Sequence, residues 1–221
     1  LLLTLPAAVA LFVVPEPIIR VLFERGAFTA DDSAATALGL SAFALGLPAF
    51  VLIKIFSPAY FAREDTRTPM IYAAVGMIVN VVGSLLLFFW LRSIGWPPHV
   101  GIAVASTVAG WVNAGMLWST LRVRGHFDLD RQTSRAVPRI ILSSLAMGGV
   151  LWAGATYAAP WFAPEAGFVV QAAALAGLVL GGLVIFAMAV QLSGAANLRT
   201  MARTLRRPRR ATDAAVSEIK D

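Results

Sequence analysis

Long stretches of apolar side chains, cut by short polar breaks that carry arginine, set the pattern of this chain. Between Ile71 and Leu91 no charged residue occurs. A helix needs about 20 mostly apolar residues to cross a hydrocarbon core of about 30 Å. Read this way, the sequence predicts about six spans, over residues 1–23, 33–62, 69–91, 100–121, 138–158 and 167–192. The fold class expected is therefore an all-α polytopic membrane protein. Pro6, Pro15 and Pro17 should kink or break the first span, because proline lacks a backbone donor. The second span is expected to start at a cap in Asp31-Asp32-Ser33 and carries Pro48, Pro58 and one charge, Lys54. Pro69 suits the first turn of the third.

Composition agrees with this pattern. The 221 residues are 58% hydrophobic and 14% charged, against about 25% charged in globular chains. A net charge of +6 would also suit a nucleic-acid partner, but the arginines flank apolar spans, so a nucleic acid is not expected and membrane lipids are. With no cysteine there is neither a disulfide framework nor a thiolate metal site. His99 and His126 fall in expected loops and are read as solvated. No metal site and no cofactor is expected. The chain begins Leu1-Leu2-Leu3-Thr4, inside an apolar run and without methionine, which we read as a break within a longer protein.

Arginine placement predicts orientation. The exits of the even spans hold Arg63 and Arg67, then Arg122, Arg124, Arg131, Arg135 and Arg139, then the basic segment from Arg199 to Arg210. The odd exits hold little beyond Arg25, Arg92 and Glu165, with Trp96, Trp161 and Phe162 as interfacial aromatics. The positive-inside rule then places the even exits and the C-terminus in the cytoplasm. The expected organisation is a four-helix unit over 1–123, a cytoplasmic loop over 124–137, a helix pair over 138–192 and a basic tail over 193–221. In that tail, Leu198, Met201, Ala202 and Leu205 share one helical face, which reads either as an interfacial amphipathic helix or as a disordered basic end. Gly177 and Gly181 have the spacing of a close-packing motif.

Polar groups at membrane depth need a partner or a task. Lys54 lies about two turns inside the second span, and Arg20 near the outer end of the first. Each reads either as a snorkelling cation or as a positive charge facing a hydrated cavity, able to attract phosphate. Asn80 and Ser84 are one turn apart in the third span; Ser106, Thr107 and Asn113 are the polar positions of the fourth. They read as interhelical hydrogen bonds or as a site between the two helices. Glu16, between Pro15 and Pro17, is either a carboxylate at a broken helix or a near-surface charge.

The densest polar signal is Phe56-Ser57-Pro58-Ala59-Tyr60-Phe61-Ala62-Arg63-Glu64-Asp65-Thr66-Arg67-Thr68-Pro69, an aromatic helix end entering a charged turn. Arg63, Glu64, Asp65, Thr66, Thr68 and Pro69 form the core of this expected cytoplasmic hairpin. Together with Leu22-Phe23-Glu24-Arg25-Gly26-Ala27-Phe28-Thr29, Leu5-Pro6-Ala7-Ala8-Val9, Gly101-Ile102-Ala103 and Trp111-Val112-Asn113-Ala114, it resembles the MurJ (MviN) lipid II flippase family. That family belongs to the multidrug/oligosaccharidyl-lipid/polysaccharide exporter superfamily.

The resemblance implies about fourteen helices in two six-helix lobes plus an extra pair, with this chain similar to helices nine to fourteen. It implies a bacterial inner-membrane protein of peptidoglycan synthesis that moves lipid II by alternating access and is not an enzyme. The cavity arginines of the family would lie in N-terminal helices of the same protein, which are thus an expected partner. Spans five and six would offer an apolar groove for an undecaprenyl tail. A coupling cation, Na+ or H+, would be held near Asn80, Ala103 and Thr107, with Ser84 where the family pattern has an acidic ligand. The alternative is an exporter of another polyprenyl-linked glycan or of drugs. A membrane enzyme acting on lipid phosphate would need a convergent set of histidine, aspartate or arginine at one depth, which the pattern lacks. A purely structural scaffold is disfavoured only by Lys54.

Overall fold

The computed structural model describes residues 1–125, 131–163 and 166–193. Eight α-helices follow one another within these: α1 (Thr4–Val13), α2 (Pro15–Phe23), α3 (Ala30–Ala44), α4 (Leu47–Phe61), α5 (Arg67–Ser93), α6 (His99–Val123), α7 (Arg131–Tyr157) and α8 (Phe168–Ser193), with a 3-10 turn over Ala159–Phe162 before α8. Five stretches are long and apolar enough to cross a membrane, and the bent pair α1–α2 makes a sixth. The expected all-α polytopic architecture is therefore observed.

Each departure from the expected spans has a local cause. The first span breaks at Val14, and α1 and α2 diverge by 78°. Pro15 and Pro17 remove two donors there, and Pro15 takes the first helical position, where no donor is needed. The second span starts earlier than expected, at Ala30. Thr29 rather than the Asp31-Asp32-Ser33 segment caps it: Asp32 N–H donates to Thr29 Oγ1 at 3.3 Å, and Thr29 N–H donates to Asp32 Oδ2 at 2.9 Å. This span is also interrupted at Leu45-Gly46, just before Pro48, while Pro58 is accommodated inside α4. Residues 131–137, expected in a loop, already belong to α7.

α5 and α6 share the most extensive interface, and small residues make it close. A Cβ at Gly101 would lie 2.8 Å from Leu87 backbone, and one at Gly83 would lie 3.2 Å from Ala105 Cβ. α4 joins the same unit through Phe56, Tyr60, Leu117 and Leu121. A second core, with Val14, Met147, Leu151, Phe186 and Val190, ties α1 to α7 and α8. The Gly177/Gly181 motif is not used, since both glycines face open space; Gly182 is the one that packs, where an added Cβ would lie 2.8 Å from Leu151 Cδ2. The basic tail from Gly194 onward and His126 lie outside the described residues.

Candidate functional site

The hairpin between α4 and α5 is a hydrogen-bonded clamp. Asp65 N–H donates to Tyr60 O and Glu64 N–H to Phe61 O, which closes the end of α4 with Glu64 in the left-handed region at φ 59. Asp65 then opens α5, its carboxylate accepting from Thr68 N–H (3.0 Å) and Thr68 Oγ1 (2.7 Å). The Arg124 guanidinium, arriving at the end of α6, donates to the same carboxylate at 2.7 Å. Arg124 first, then the two Thr68 bonds, hold the Asp65 carboxyl down to about 2. Deeper in, Tyr60 OH donates to Leu117 O at 2.7 Å, and the Tyr72 and Thr120 hydroxyls bond at 2.7 Å. So three helix ends are fixed against one another around one carboxylate. Arg63 caps α4 through Ala59 O, while Thr66 and Pro69 line a cleft of about 300 Å³ between α4, α5 and α6. The partnership with Arg124 was not legible, because its 59-residue separation leaves no local pattern.

Between α5 and α6, Asn80 Oδ1 accepts from Ser84 and Ser106, each at 3.1 Å. Thr107 turns the other way and donates to Ala42 O on α3 at 2.7 Å, and Ala103 is buried. The structure therefore joins Asn80 to Ser84 and Ser106 but not to Thr107. These residues do not fit a cation site on their own. Their oxygens are neutral, and the Ser84 and Ser106 hydroxyls both donate to the Asn80 oxygen. A desolvated cation needs formal negative charge nearby.

α6 also carries donors and acceptors that the sequence did not reveal. Trp111 Nε1 donates to Leu45 O at 3.0 Å, and His99, exposed as expected but at the first position of α6 rather than in the loop, has Nε2 2.8 Å from Ala35 O. Thr107 and Trp111 thus reach carbonyls that flank the break between α3 and α4.

Arg20 and Lys54 occupy different places. Arg20, on α2, donates to Glu16 at 2.8 Å and lies 3.3 Å from Glu24, whose other contact is the Ser33 hydroxyl at 2.8 Å. Its charge is thereby offset twice. Lys54 is exposed on α4 and, among the described residues, has no hydrogen-bonding or ionic partner. A few residues on, Arg25 stacks over Phe168 at 4.0 Å and docks the end of α2 on α8.

A bundle of long apolar helices, with one span bent at proline, another interrupted before Pro48 and a charge clamp on the α4–α5 hairpin, defines a polytopic α-helical membrane protein. Residues 1–170 match the family model of the lipid II flippase MurJ, and the chain belongs to that family. It is 41% identical over 208 residues to the probable lipid II flippase MurJ of Rhizobium meliloti (strain 1021), covering 94% of this chain and 38% of that protein. To the protein of the same description from Rhizobium tropici it is 40% identical over 214 residues, covering 95% of this chain and 38% of the relative. The chain thus spans well under half the length of these relatives. Among solved structures, one described as "Lipid II flippase MurJ, inward closed conformation" superposes with a TM-score of 0.62 at 25% identity, over 86% of this chain and 36% of that one. The resemblance read from the loop motifs is borne out.

Proposed function

We propose that this chain forms the later part of a flippase that carries lipid II from the cytoplasmic to the periplasmic leaflet by alternating access, without making or breaking a bond. The observation that carries this reading is the family match over residues 1–170. On the same reading the four-helix unit 1–123 belongs to the second lobe, 138–192 are the extra helix pair, and the cavity arginines lie in N-terminal helices of the same protein. Lys54 is the better of the two candidate substrate contacts, because its ammonium has no partner among the described residues whereas Arg20 is offset by Glu16 and Glu24. Lysine supplies a point charge suited to a diphosphate. The helix ends bearing Arg63, Arg67, Arg122 and Arg124 face the cytoplasm by the positive-inside rule, as does the C-terminus. The broken pairs α1–α2 and α3–α4 supply bending elements for the access change.

Complementation of cells depleted of their own lipid II flippase tests this. The gene extended upstream to its natural start is expected to restore growth and shape, and Lys54→Ala in it to weaken rescue more than Lys54→Arg. A well-expressed, membrane-inserted long form that fails to rescue would move the substrate to another polyprenyl-linked glycan.

A further inference from the structure

Where α2 swings away from α1, the outer part of α7 loses its cover and a groove opens. Its deeper part, about 370 Å³, runs between Val9 on α1 and Leu145, Gly148 and Gly149 on α7. Its outer part, about 450 Å³, shares Phe12, Val13 and Trp152 with the first and ends at Glu16, Arg20 and Thr156. Gly149 keeps the floor low, with nothing within 4 Å of where a Cβ would stand. From Leu145 to Thr156, α7 rises roughly 16 Å, which matches half of an apolar core about 30 Å thick. The groove is therefore one leaflet deep, apolar along its length and charged at one end only.

The charged end has a definite chemistry. Glu16 and Arg20 are bonded at 2.8 Å, with 53% and 26% of their side chains exposed. Glu24 lies on the far side of Arg20 at 3.3 Å, so the three groups sum to one negative charge. An anionic headgroup gains nothing from that sum. A headgroup that carries both a phosphate and a primary ammonium can meet Arg20 with the first and donate hydrogen bonds to Glu16 with the second.

We propose that this groove is a binding site for a zwitterionic phospholipid of the ethanolamine type, one acyl chain lying along α7 and the headgroup on the Glu16–Arg20 pair. The proposal rests on the bilayer-spanning architecture and is independent of what the protein transports.

The test is photolabelling of the full-length protein in liposomes containing phosphatidylethanolamine with a diazirine on one acyl chain. Adducts are expected on peptides covering residues 145–156. They should fall about tenfold in Gly149→Phe, the factor equivalent to roughly 1.4 kcal/mol, and fall in Gly149→Leu too. Leu180→Phe, on the exposed side of α8, should leave them unchanged. In the wild-type protein, a phosphatidylglycerol probe of the same chain should label less, and Glu16→Gln with Arg20→Gln should erase that preference. Equal labelling by the two wild-type probes, or full labelling in both Gly149 variants, overturns the proposal. Displacement by undecaprenyl phosphate but not by excess unlabelled phosphatidylethanolamine also overturns it, giving the groove to an isoprenoid chain.

Discussion

Two glycines on α6 should respond to the same substitution with opposite sign. An alanine Cβ at Gly101 would stand 2.8 Å from both Leu87 C and Leu87 Cβ, and 3.0 Å from Phe88 N. Two of these atoms are backbone, so no rotamer change relieves the contact. The α5–α6 pair must instead separate by roughly 0.6 Å, and overpacking of this kind costs about 1–3 kcal/mol. Gly101 sits in the first turn of α6, where the propensity gain of alanine is small. At Gly115, in the body of the same helix, nothing lies within 4 Å of the new Cβ, and alanine gains about 1 kcal/mol of helix propensity. Gly101→Ala should therefore be less stable than wild type, and Gly115→Ala more stable, with about 2–4 kcal/mol between them. Denaturation in mixed micelles, followed by the fluorescence of the chain's 6 tryptophans, reads both. If Gly101→Ala proved as stable as Gly115→Ala, the close approach of α5 and α6 would not be what holds this unit.

Two further outcomes concern the α4–α5 hairpin. The Asp65 carboxyl is held at about 2 against an ordinary value of 3.8; a lowered folded-state value means stabilisation that is complete above about 4 and lost as pH falls toward 2. Melts across that window should lose stability with acidification, and Asp65→Asn should flatten this part of the profile. Glu64 sits at φ 59, a conformation that costs a residue with a side chain about 1–2 kcal/mol, so Glu64→Gly should raise the denaturation midpoint and Glu64→Val lower it.

The long crossings were legible because lipid solvation demands unbroken apolar runs, and α5, α6 and α8 each lie within a few residues of their expected bounds. The break at Val14 was legible from Pro15 and Pro17. The interruption at Leu45-Gly46 was not, although Pro48 signals it, because hydropathy does not distinguish one long span from two collinear halves. α7 starts outside the apolar run because a helix does not need lipid around its first turns. Of the candidate site, the Asn80–Ser84 pairing followed from spacing along one helix. Thr107, Tyr60 and Arg124 found partners 65, 57 and 59 residues away, and their partnerships exist only once the helices are packed.

The donors that α6 sends to the α3–α4 break bear on the order in which the chain assembles. Thr107 follows Ala42 by 65 residues, a delay of roughly 3–13 s at about 5–20 residues per second. Throughout that interval the break has been synthesised but its stabilising hydroxyl and indole have not. Nascent α3–α4 thus enters the bilayer with the Ala42 and Leu45 carbonyls not yet met by α6. Pro48 sets the interruption from the start, since it has no N–H to offer the carbonyl one turn back; α6 meets the carbonyls beside it only afterwards, and a truncation after α5 should leave the break present but less rigid.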